Sequence, residues 1–188
     1  MIKDLETLLN VRENISLNLL DGVKNRKSDF RTFTLCTTGI ISSGRTVVLR
    51  GYDSTNNILT FHTNSHAEKI EHLKSNPDVC SVFYSKSSKL QIRCFGKACI
   101  NYQNQKSKSS WEKMSDMSKE CYFQDPLPGT KIDNYDKFTK KIEFKESSFF
   151  CVVDIKLSKI DWLFLKREGH RRANIFLDNK IEDQWVSP

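Results

Sequence analysis

The sequence predicts a mainly β (β+α) fold in which antiparallel strands close into a barrel and helices flank it. From residue 31 onward, short runs rich in apolar and β-branched residues are separated by turn sequences such as SSG and DSTNN. The short spacing between these runs is typical of an antiparallel meander that closes into a barrel. At 188 residues the chain is long enough for one sizeable core. We therefore expect residues 1–188 to form a single domain.

The elements follow in order along the chain. Apolar residues recur at helical spacing near the N-terminus, which predicts a helix within residues 1–24, with a break at DGVKNRKSDF. Residues 31–102 supply the barrel core, interrupted by a helix over residues 66–75 with Asn64 or Ser65 as its cap. A second helix is expected over residues 107–122, before a loop that carries Pro and Gly. Residues 147–188 return to strands.

Charge and composition restrict the partners. The net charge of +7 and the pI near 9.1 fit a nucleic-acid surface, a phosphate-bearing cofactor or a solvated basic face. The basic residues are spread along the chain, which disfavours nucleic acid as the partner. No apolar run approaches the ~20 residues of a membrane span, and the N-terminus lacks the apolar core of a signal peptide. We expect a cytoplasmic protein that does not enter the membrane.

The cysteine and histidine residues do not form a recognisable metal motif. None of the six cysteines belongs to a CxxC pair, and most lie in apolar strand-like runs, so free buried thiols are expected. His62, His66 and His72 lack the cysteines or carboxylates that would complete a ligand set. We expect no metal site.

The strand RTVVLR, residues 45–50, carries the strongest functional signal. Arg45 and Arg50 lie at its two ends and, by strand alternation, on opposite faces. A guanidinium group can hold two phosphate oxygens, and the backbone between the arginines can bond a flat, polar-edged ring. The next strand ends in His62–Thr63 and leads to a helix N-terminus, where anions bind readily. Ordinary strand-end charges and a solvated helix face are the alternative, but the order of these residues favours an anion site.

These stretches resemble the FMN-binding split barrel of the pyridoxamine 5′-phosphate oxidase family. The resemblance lies in GRTVVLRGYD, NILTFHTNSHAEKIEHLKSNPDVCSVFY and LQIRCFGKACI, and in the tail WLFLKREGHRRANIFLDNKIEDQWVSP. The segment SSWEKMSDMSKECYFQDPLPG is most similar to the branch of FMN-binding pyridoxamine-oxidase-like proteins. The similarity covers nearly the whole chain from Arg31. It implies an antiparallel split β-barrel and a homodimer with two flavins at the interface.

The resemblance assigns the cofactor residues one by one. Arg45 binds the FMN phosphate, and Arg50 takes the place of a lysine that faces the flavin or the substrate phosphate. Gln91 contacts the cofactor across the dimer interface, and Ser118 matches a further polar contact loosely. The isoalloxazine ring is lined by Thr46, Val47, Val48 and Leu49, and the phosphate is met by His62, Thr63 and Lys69.

Two departures from the family pattern bear on activity. Glu68 stands where the family has an arginine, and His66 is a partial, pH-dependent substitute. In the C-terminal segment Arg171 matches one substrate residue, while the next two family positions fall on Ala173 and Ile175. Arg171 or Arg172 is expected to hold a small anionic substrate. These departures weigh against oxidation of pyridoxamine 5′-phosphate itself.

Three functions follow from these residues. The first is an FMN-dependent oxidoreductase, in which the flavin carries the chemistry and no catalytic residue needs to stand out. The second is a non-catalytic flavin store or sensor. The third is nucleic-acid binding through barrel aromatics, which the expected burial of those aromatics disfavours. FMN or a related deazaflavin is the expected cofactor.

Overall fold

The computed structural model describes residues 5–133, 139–140, 149–178 and 181–188. A single-turn 3-10 helix at Asp29–Arg31 precedes the first strand. The helices are α1 (Leu8–Lys24), α2 (Glu68–Ser75), α3 (Gln105–Glu112) and α4 (Asp116–Glu120). The strands are β1 (Thr32–Thr38), β2 (Ser42–Asp53), β3 (Ile58–Asn64), β4 (Asp78–Ser85), β5 (Leu90–Tyr102), β6 (Gln124–Asp125), β7 (Thr139–Lys140), β8 (Phe150–Phe164), β9 (Arg171–Phe176) and β10 (Gln184–Val186).

Six antiparallel strands close into a barrel, as predicted. The strand order is β10-β9-β8-β3-β2-β1-β4-β5, and a further pairing of β8 with β5 completes the ring. β8 is the closing strand: Phe150–Lys156 pair with β3 on one side, and Cys151–Phe164 pair with β5 on the other. Residues 31–102 contain only five of the barrel strands. The boundary predicted for the barrel core was therefore too short, since β8 belongs to it.

The core fills the barrel and the space beneath α1. Inward-facing residues alternate along each strand, as in β1, where Phe33 and Leu35 are fully buried. α1 adds Val11, Ile15 and Leu19, which recur at i, i+4 and i+8 on one helical face. Thr7 caps this helix by accepting a 3.2 Å hydrogen bond from the backbone N–H of Asn10.

The predicted break after α1 begins too early. The helix continues through Asp21, Gly22 and Val23 to Lys24. Gly22 is buried against Phe30, and a Cβ atom at this position would lie 2.3 Å from the Phe30 carbonyl oxygen. Here glycine permits close packing against the following segment rather than a turn.

The two later helices also differ from the prediction. The helix expected over residues 66–75 begins at Glu68 with Ala67 as its N-cap, because Asn64 instead accepts a 2.8 Å bond from the His66 N–H in the preceding loop. The helix expected over 107–122 is divided into α3 and α4. α3 begins with a capping box between Asn104 and Ser107. Together with Phe123, Phe150 and Val152, Trp111 of α3 forms a second apolar cluster.

All six cysteines are free, but the expected burial holds only for Cys94 and Cys151. Cys99 and Cys121 are exposed. Among the described residues, no group of three or more His, Cys, Asp or Glu side chains could hold a metal ion. No helix in the described ranges is long and apolar enough to cross a membrane.

Candidate functional site

β2 and β3 pair over only part of their length. Their ladder joins Leu49–Asp53 to Ile58–Phe61, with a register shift at Arg50. Within the described residues, positions 45–48 of β2 pair with β1 alone. We call this opening, between residues 45–48 of β2 and residues 62–64 of β3, the split. Because backbone groups alternate in direction along a strand, part of the β2 backbone faces the split without a strand partner.

Arg45 lies on the inner side of the split and is held by four hydrogen bonds. Its Nη1 donates to the Leu35 carbonyl oxygen at 3.2 Å, to Thr37 Oγ1 at 2.6 Å and to the Ser43 carbonyl oxygen at 3.2 Å. Its Nη2 donates to Ser43 Oγ at 2.7 Å. The guanidinium group is therefore oriented by the β1–β2 hairpin before any ligand binds.

Lys69 reaches the same side of the split from α2. Its Nζ donates to Thr63 Oγ1 at 3.1 Å, which fixes the ammonium group over the end of β3. Burial is the main cause that lowers the pKa of Lys69, and the positive charge of Arg45 is the second cause. The positive charges of Arg45 and Lys69 thus lie close together in a partly dehydrated position, and a bound anion would offset their repulsion.

His72 completes this group from one turn further along α2. Its Nδ1 lies 3.0 Å from Thr37 Oγ1, and its Nε2 lies 3.8 Å from a carboxylate oxygen of Glu68. Since Thr37 accepts from Arg45, its hydroxyl proton is available for His72 Nδ1. The cationic cluster, as we name it, consists of Arg45, Thr37, Thr63, Lys69 and His72.

Thr37 and His72 were not predicted as members of this site. Thr37 reaches Arg45 from the neighbouring strand, where Leu35 is directly opposite Arg45. His72 follows Lys69 by three residues and so lies on the same helical face. That spacing was the available signal for His72. A further support is Gly39, where a Cβ atom would lie 2.6 Å from His72 Nε2.

Arg50 and His62 lie on the outer face and do not join the cationic cluster. Arg50 occupies the bulge of β2 and is exposed. His62 contacts the Phe150 ring edge-to-face, with ring centroids 4.9 Å apart. Burial first, and the charge of Arg50 second, lower the pKa of His62 to about 4. His62 is therefore neutral at physiological pH. The prediction that the two arginines occupy opposite faces agrees with this arrangement.

His66 precedes α2 instead of lying in its first turn. It is exposed, its Nδ1 lies 3.3 Å from Ser65 Oγ, and its ring packs 5.4 Å from the Phe149 ring. Neither contact directs it toward Lys69. The expectation that His66 compensates for Glu68 gains no support from these contacts.

Gln91 is remote from the split within one copy of the chain. It lies on β5, directly opposite Tyr84 of β4 and Leu163 of β8. β4 and β1 lie between β5 and β2 in the sheet. One copy of the chain therefore does not bring Gln91 together with Arg45.

The C-terminal arginines have partners of their own. Arg172 donates through Nε and Nη2 to the buried Asp161, at 2.8 Å for Nη2 and Oδ2. Arg93 binds the same carboxylate at 2.5 Å. Arg171 donates to the Leu5 carbonyl oxygen at 3.2 Å, and its Nη2 lies 3.4 Å from Glu6 Oε1.

The three tryptophans and Ser118 are not close to the cationic cluster. Trp162 is fully buried and donates from Nε1 to Asn14 Oδ1 at 3.1 Å, so it packs against α1. The side chain of Trp111, on α3, is buried, whereas Trp185 is 42% exposed. Ser118 lies on α4, with its Oγ 3.0 Å from Ser115 Oγ. Trp111 and Trp162 therefore serve as packing residues.

The donor set at the split fits a phosphate group joined to a flat ring. The cationic cluster supplies a guanidinium group, an ammonium group and hydroxyl groups, which are the usual partners of phosphate oxygens. The unpaired β2 backbone adjoins it and offers N–H and C=O groups in one line. Such an edge suits a planar molecule with alternating donors and acceptors.

Comparison with known proteins gives matches to proteins described as FMN-binding. Residues 14–102 match the family model described as pyridoxamine 5′-phosphate oxidase, FMN-binding domain. A solved pyridoxamine 5′-phosphate oxidase-related, FMN-binding protein from Nostoc punctiforme is 19% identical, with a TM-score of 0.76, and the match covers 94% of this chain and 97% of that one. Among curated proteins the comparison found no match.

Two further solved structures share the fold. PhzG from Burkholderia lata, in complex with tetrahydrophenazine-1-carboxylic acid, is 14% identical with a TM-score of 0.73, over 100% of this chain and 96% of that one. A protein related to general stress protein 26 from Clostridium acetobutylicum is 12% identical with a TM-score of 0.58, over 88% and 96% of the chains. At these identities the likeness establishes the fold.

The closed barrel and its split define a protein of the split-barrel class. The resemblance of this chain to the pyridoxamine 5′-phosphate oxidase-like FMN-binding family, predicted from its sequence, is confirmed.

Proposed function

We propose that this chain binds FMN at the split and acts as a cytoplasmic oxidoreductase on a small anionic molecule. The observation that carries the proposal is the position of the cationic cluster at one end of the unpaired β2 edge. A phosphate and a flat ring joined by a short linker would engage both features at once. The family match over residues 14–102, which names an FMN-binding domain, supports this cofactor.

Each residue has a defined part in this proposal. Arg45 and Lys69 neutralise the phosphate, and Thr63 donates a hydroxyl hydrogen bond to it. Thr37 and His72 hold Arg45 in position. The backbone of residues 46–48 bonds the polar edge of the ring, and Val47 and Val48 cover its faces. Leu49 serves as core, since it pairs with Phe61 and is fully buried.

Bound FMN would supply hydride-transfer chemistry, so this chain's own task is to bind, orient and shield the cofactor. That division of labour is consistent with a sequence that contains no nucleophile motif. Arg171 is the residue proposed to hold the substrate anion, since its ion pair with Glu6 is long and partly exposed. Arg172 contributes charge, although Asp161 fixes its orientation.

A homodimer is part of the proposal because the flavin site is incomplete in one copy. Gln91, Arg171 and Arg172 lie on β5 and β9, away from the split. These residues can approach a flavin at the split only from a second copy. Sedimentation equilibrium is expected to give twice the 21.9 kDa mass of the chain. A monomer that retains FMN would contradict the shared site.

A flavin-binding module without turnover is the second candidate. The observation that favours it is the pairing of both C-terminal arginines with carboxylates of the same chain. Reduction of the bound flavin by NADH or NADPH, followed by reoxidation in air, separates the two candidates. An oxidoreductase cycles repeatedly, whereas a store or sensor does not accept electrons at a useful rate.

The first test is the visible absorption spectrum of the freshly purified protein, with the released chromophore identified by mass. Flavin bands with the mass of FMN are expected, and a deazaflavin would be recognised by its different mass. Arg45→Ala should lose most of the flavin while the circular dichroism spectrum stays unchanged. Arg26→Ala, which removes an exposed arginine beyond α1, is the matched control. A colourless protein that takes up no FMN, or full flavin occupancy in Arg45→Ala, would refute the assignment.

A further inference from the structure

Two cysteines lie opposite each other on the outer surface of the barrel. Cys36 of β1 is directly opposite Cys80 of β4 in the antiparallel ladder that joins these strands. The residues that flank them in sequence are buried and face inward: Leu35, Thr37, Val79 and Ser81. Because side chains alternate along a strand, both thiols face the outside of the barrel, and both residues are only partly buried.

The separation of the two residues suits a disulfide bond. Directly opposite residues of an antiparallel pair have Cα atoms about 4.5–5.5 Å apart. Disulfide-bonded cysteines have Cα atoms about 4.4–6.8 Å apart. A bond between Cys36 and Cys80 can therefore form while β1 and β4 stay paired. Both thiols are free in the structure, so the pair is present in its reduced form.

This register distinguishes Cys36 and Cys80 from the other cysteines of the chain. Cys121 follows α4 and belongs to no strand. In the described ladders the remaining cysteines lie opposite residues of other types: Cys94 opposite Ser81, Cys99 opposite Asp154 and Cys151 opposite Thr63. The sheet thus brings one pair of cysteines together.

A small reagent can reach Cys36 from the side of β2. Gly44 is directly opposite Cys36 on that strand, and even a Cβ atom there would lie 4.0 Å from Cys36 Sγ. Burial is the main cause that raises the pKa of Cys80 to about 11, and the neighbouring Cys36 is the second cause. Cys80 is thus protonated at neutral pH. Because the thiolate is the form that attacks a disulfide, Cys36 is assigned the first attack.

We propose that Cys36 and Cys80 form a redox-active pair, which a low-molecular-weight disulfide converts to an intramolecular disulfide. The Cys36 thiolate attacks one sulfur of the reagent, whose S–S bond breaks. The first half of the reagent leaves as a thiolate and takes up the proton that Cys36 released. Cys80 then attacks Cys36 Sγ, and the second half leaves as a thiol with the Cys80 proton. The protein loses two electrons and two protons, and the reagent gains them.

The bond would close the end of the β1–β4 ladder. Cys36–Cys80 is the last pair of that ladder, and from Thr37 onward the described residues of β1 pair with β2 alone. Thr37 faces the opposite side of β1, where it accepts from Arg45. The bond would therefore hold the strand end that carries Thr37. Its formation does not rest on FMN binding, because the two thiols lie on the other face of β1.

Oxidised glutathione at neutral pH is the probe, and the intact mass of the protein is the measurement. The wild type is expected to lose two hydrogen atoms, and dithiothreitol should restore them, because a partly exposed disulfide stays open to reduction. The tryptic peptides 32–45 and 75–86 contain one cysteine each and should be joined. The oxidised protein should melt about 4–16 °C higher than the reduced protein.

Variants separate the two steps. Cys80→Ser should stop at the mixed disulfide of Cys36 with glutathione, whereas Cys36→Ser should lose the reaction at this site. The double variant Cys99→Ser, Cys121→Ser removes the two exposed cysteines and is the matched control. It should form the bond between Cys36 and Cys80 as the wild type does.

A wild-type protein that keeps its mass, or a bond that joins other cysteines, would overturn the proposal. A covalent dimer on non-reducing electrophoresis that depends on Cys36 or Cys80 would also overturn it, since the bond is intramolecular. The same holds for an oxidised protein that melts no higher than the reduced one, because β1 and β4 would then separate to form the bond. Flavin occupancy is measured by absorption on the same samples. Absence of FMN together with a normal Cys36–Cys80 bond would refute only the proposed function.

Discussion

Replacement of Lys69 by methionine removes the ammonium group of the cationic cluster and keeps a side chain of similar length. In the protein without ligand, Lys69 is half-buried and repelled by Arg45, and its pKa is lowered for both reasons. The positive charge of Lys69 therefore destabilises the folded protein unless an anion is bound. We expect Lys69→Met to raise the melting temperature of the flavin-free protein while it weakens FMN binding.

The loss of FMN affinity can be estimated from the contact that disappears. One hydrogen bond between a charged donor and a phosphate oxygen contributes about 1.5–3 kcal/mol. At about 1.4 kcal/mol for each tenfold change, the dissociation constant for FMN should rise about 10- to 150-fold. Riboflavin lacks the phosphate, so its dissociation constant should stay the same within about twofold. In the variant, the dissociation constants for FMN and riboflavin should therefore differ less than they do in the wild type.

Quenching of flavin fluorescence, titrated with the flavin-free protein, measures both constants. Lys74→Met is the matched control, because Lys74 lies on the same helix but is exposed and paired with Glu71 at 2.7 Å. It should leave both affinities unchanged. If Lys69→Met alters FMN and riboflavin binding equally, or alters neither, Lys69 does not contact the phosphate and the site at the split is wrongly assigned.

Two further substitutions test other parts of the structure. Gly39→Ala would place a Cβ atom 2.6 Å from His72 Nε2 and push the ring away, so FMN affinity should fall several-fold by the same titration. Asp161→Asn leaves Arg93 and Arg172 without their shared carboxylate and should cost about 3 kcal/mol in urea unfolding, the low end of the range because both guanidinium groups are about one-third exposed. Burial opposes ionisation of Asp161, but hydrogen bonds from the two arginines outweigh it and lower its pKa. This stabilisation is complete above about pH 4 and is lost as pH falls through the folded-state pKa, so the wild type should lose more stability than Asp161→Asn between about pH 4 and 2.

Conservative changes at neighbouring positions serve as controls. A Cβ atom at Gly44 would lie 3.5 Å from Thr34, an ordinary contact, so Gly44→Ala should bind FMN normally. Asp21→Asn removes an exposed carboxylate and should follow the pH profile of the wild type. If Gly44→Ala lowers FMN affinity as much as Gly39→Ala, or Asp161→Asn leaves the acid profile unchanged, the corresponding interpretation fails.

Local signals in the sequence were sufficient for the barrel strands and for part of the site. Period-two alternation and turn residues locate β1 to β5, and strand alternation separates Arg45 from Arg50 correctly. The order of Arg45, Thr63 and Lys69 along the chain also predicted an anion site. These residues lie on consecutive elements of the chain, so their proximity in the fold can be predicted from their order in the sequence.

Contacts between distant segments were beyond the reach of the same reasoning. The split depends on β3 pairing with β8, about ninety residues away in sequence. Nothing near Arg172 in sequence reveals that Asp161 of the adjacent strand binds its guanidinium group. The helix starts at Glu68 and Gln105 were decided by the Asn64 and Asn104 side chains, which bond the backbone locally, and such choices shift boundaries by a few residues.

The late position of β8 in the chain has a consequence for how the protein forms. β3 and β5 each need β8 as a neighbour, so both keep an open edge until Phe150–Phe164 have left the ribosome. Pairings across such a separation give a high contact order, and closure of the ring becomes the slow step of folding. During that interval the exposed edges invite association between unfinished chains. The strand that completes the barrel thus also decides how long the nascent chain is vulnerable to aggregation.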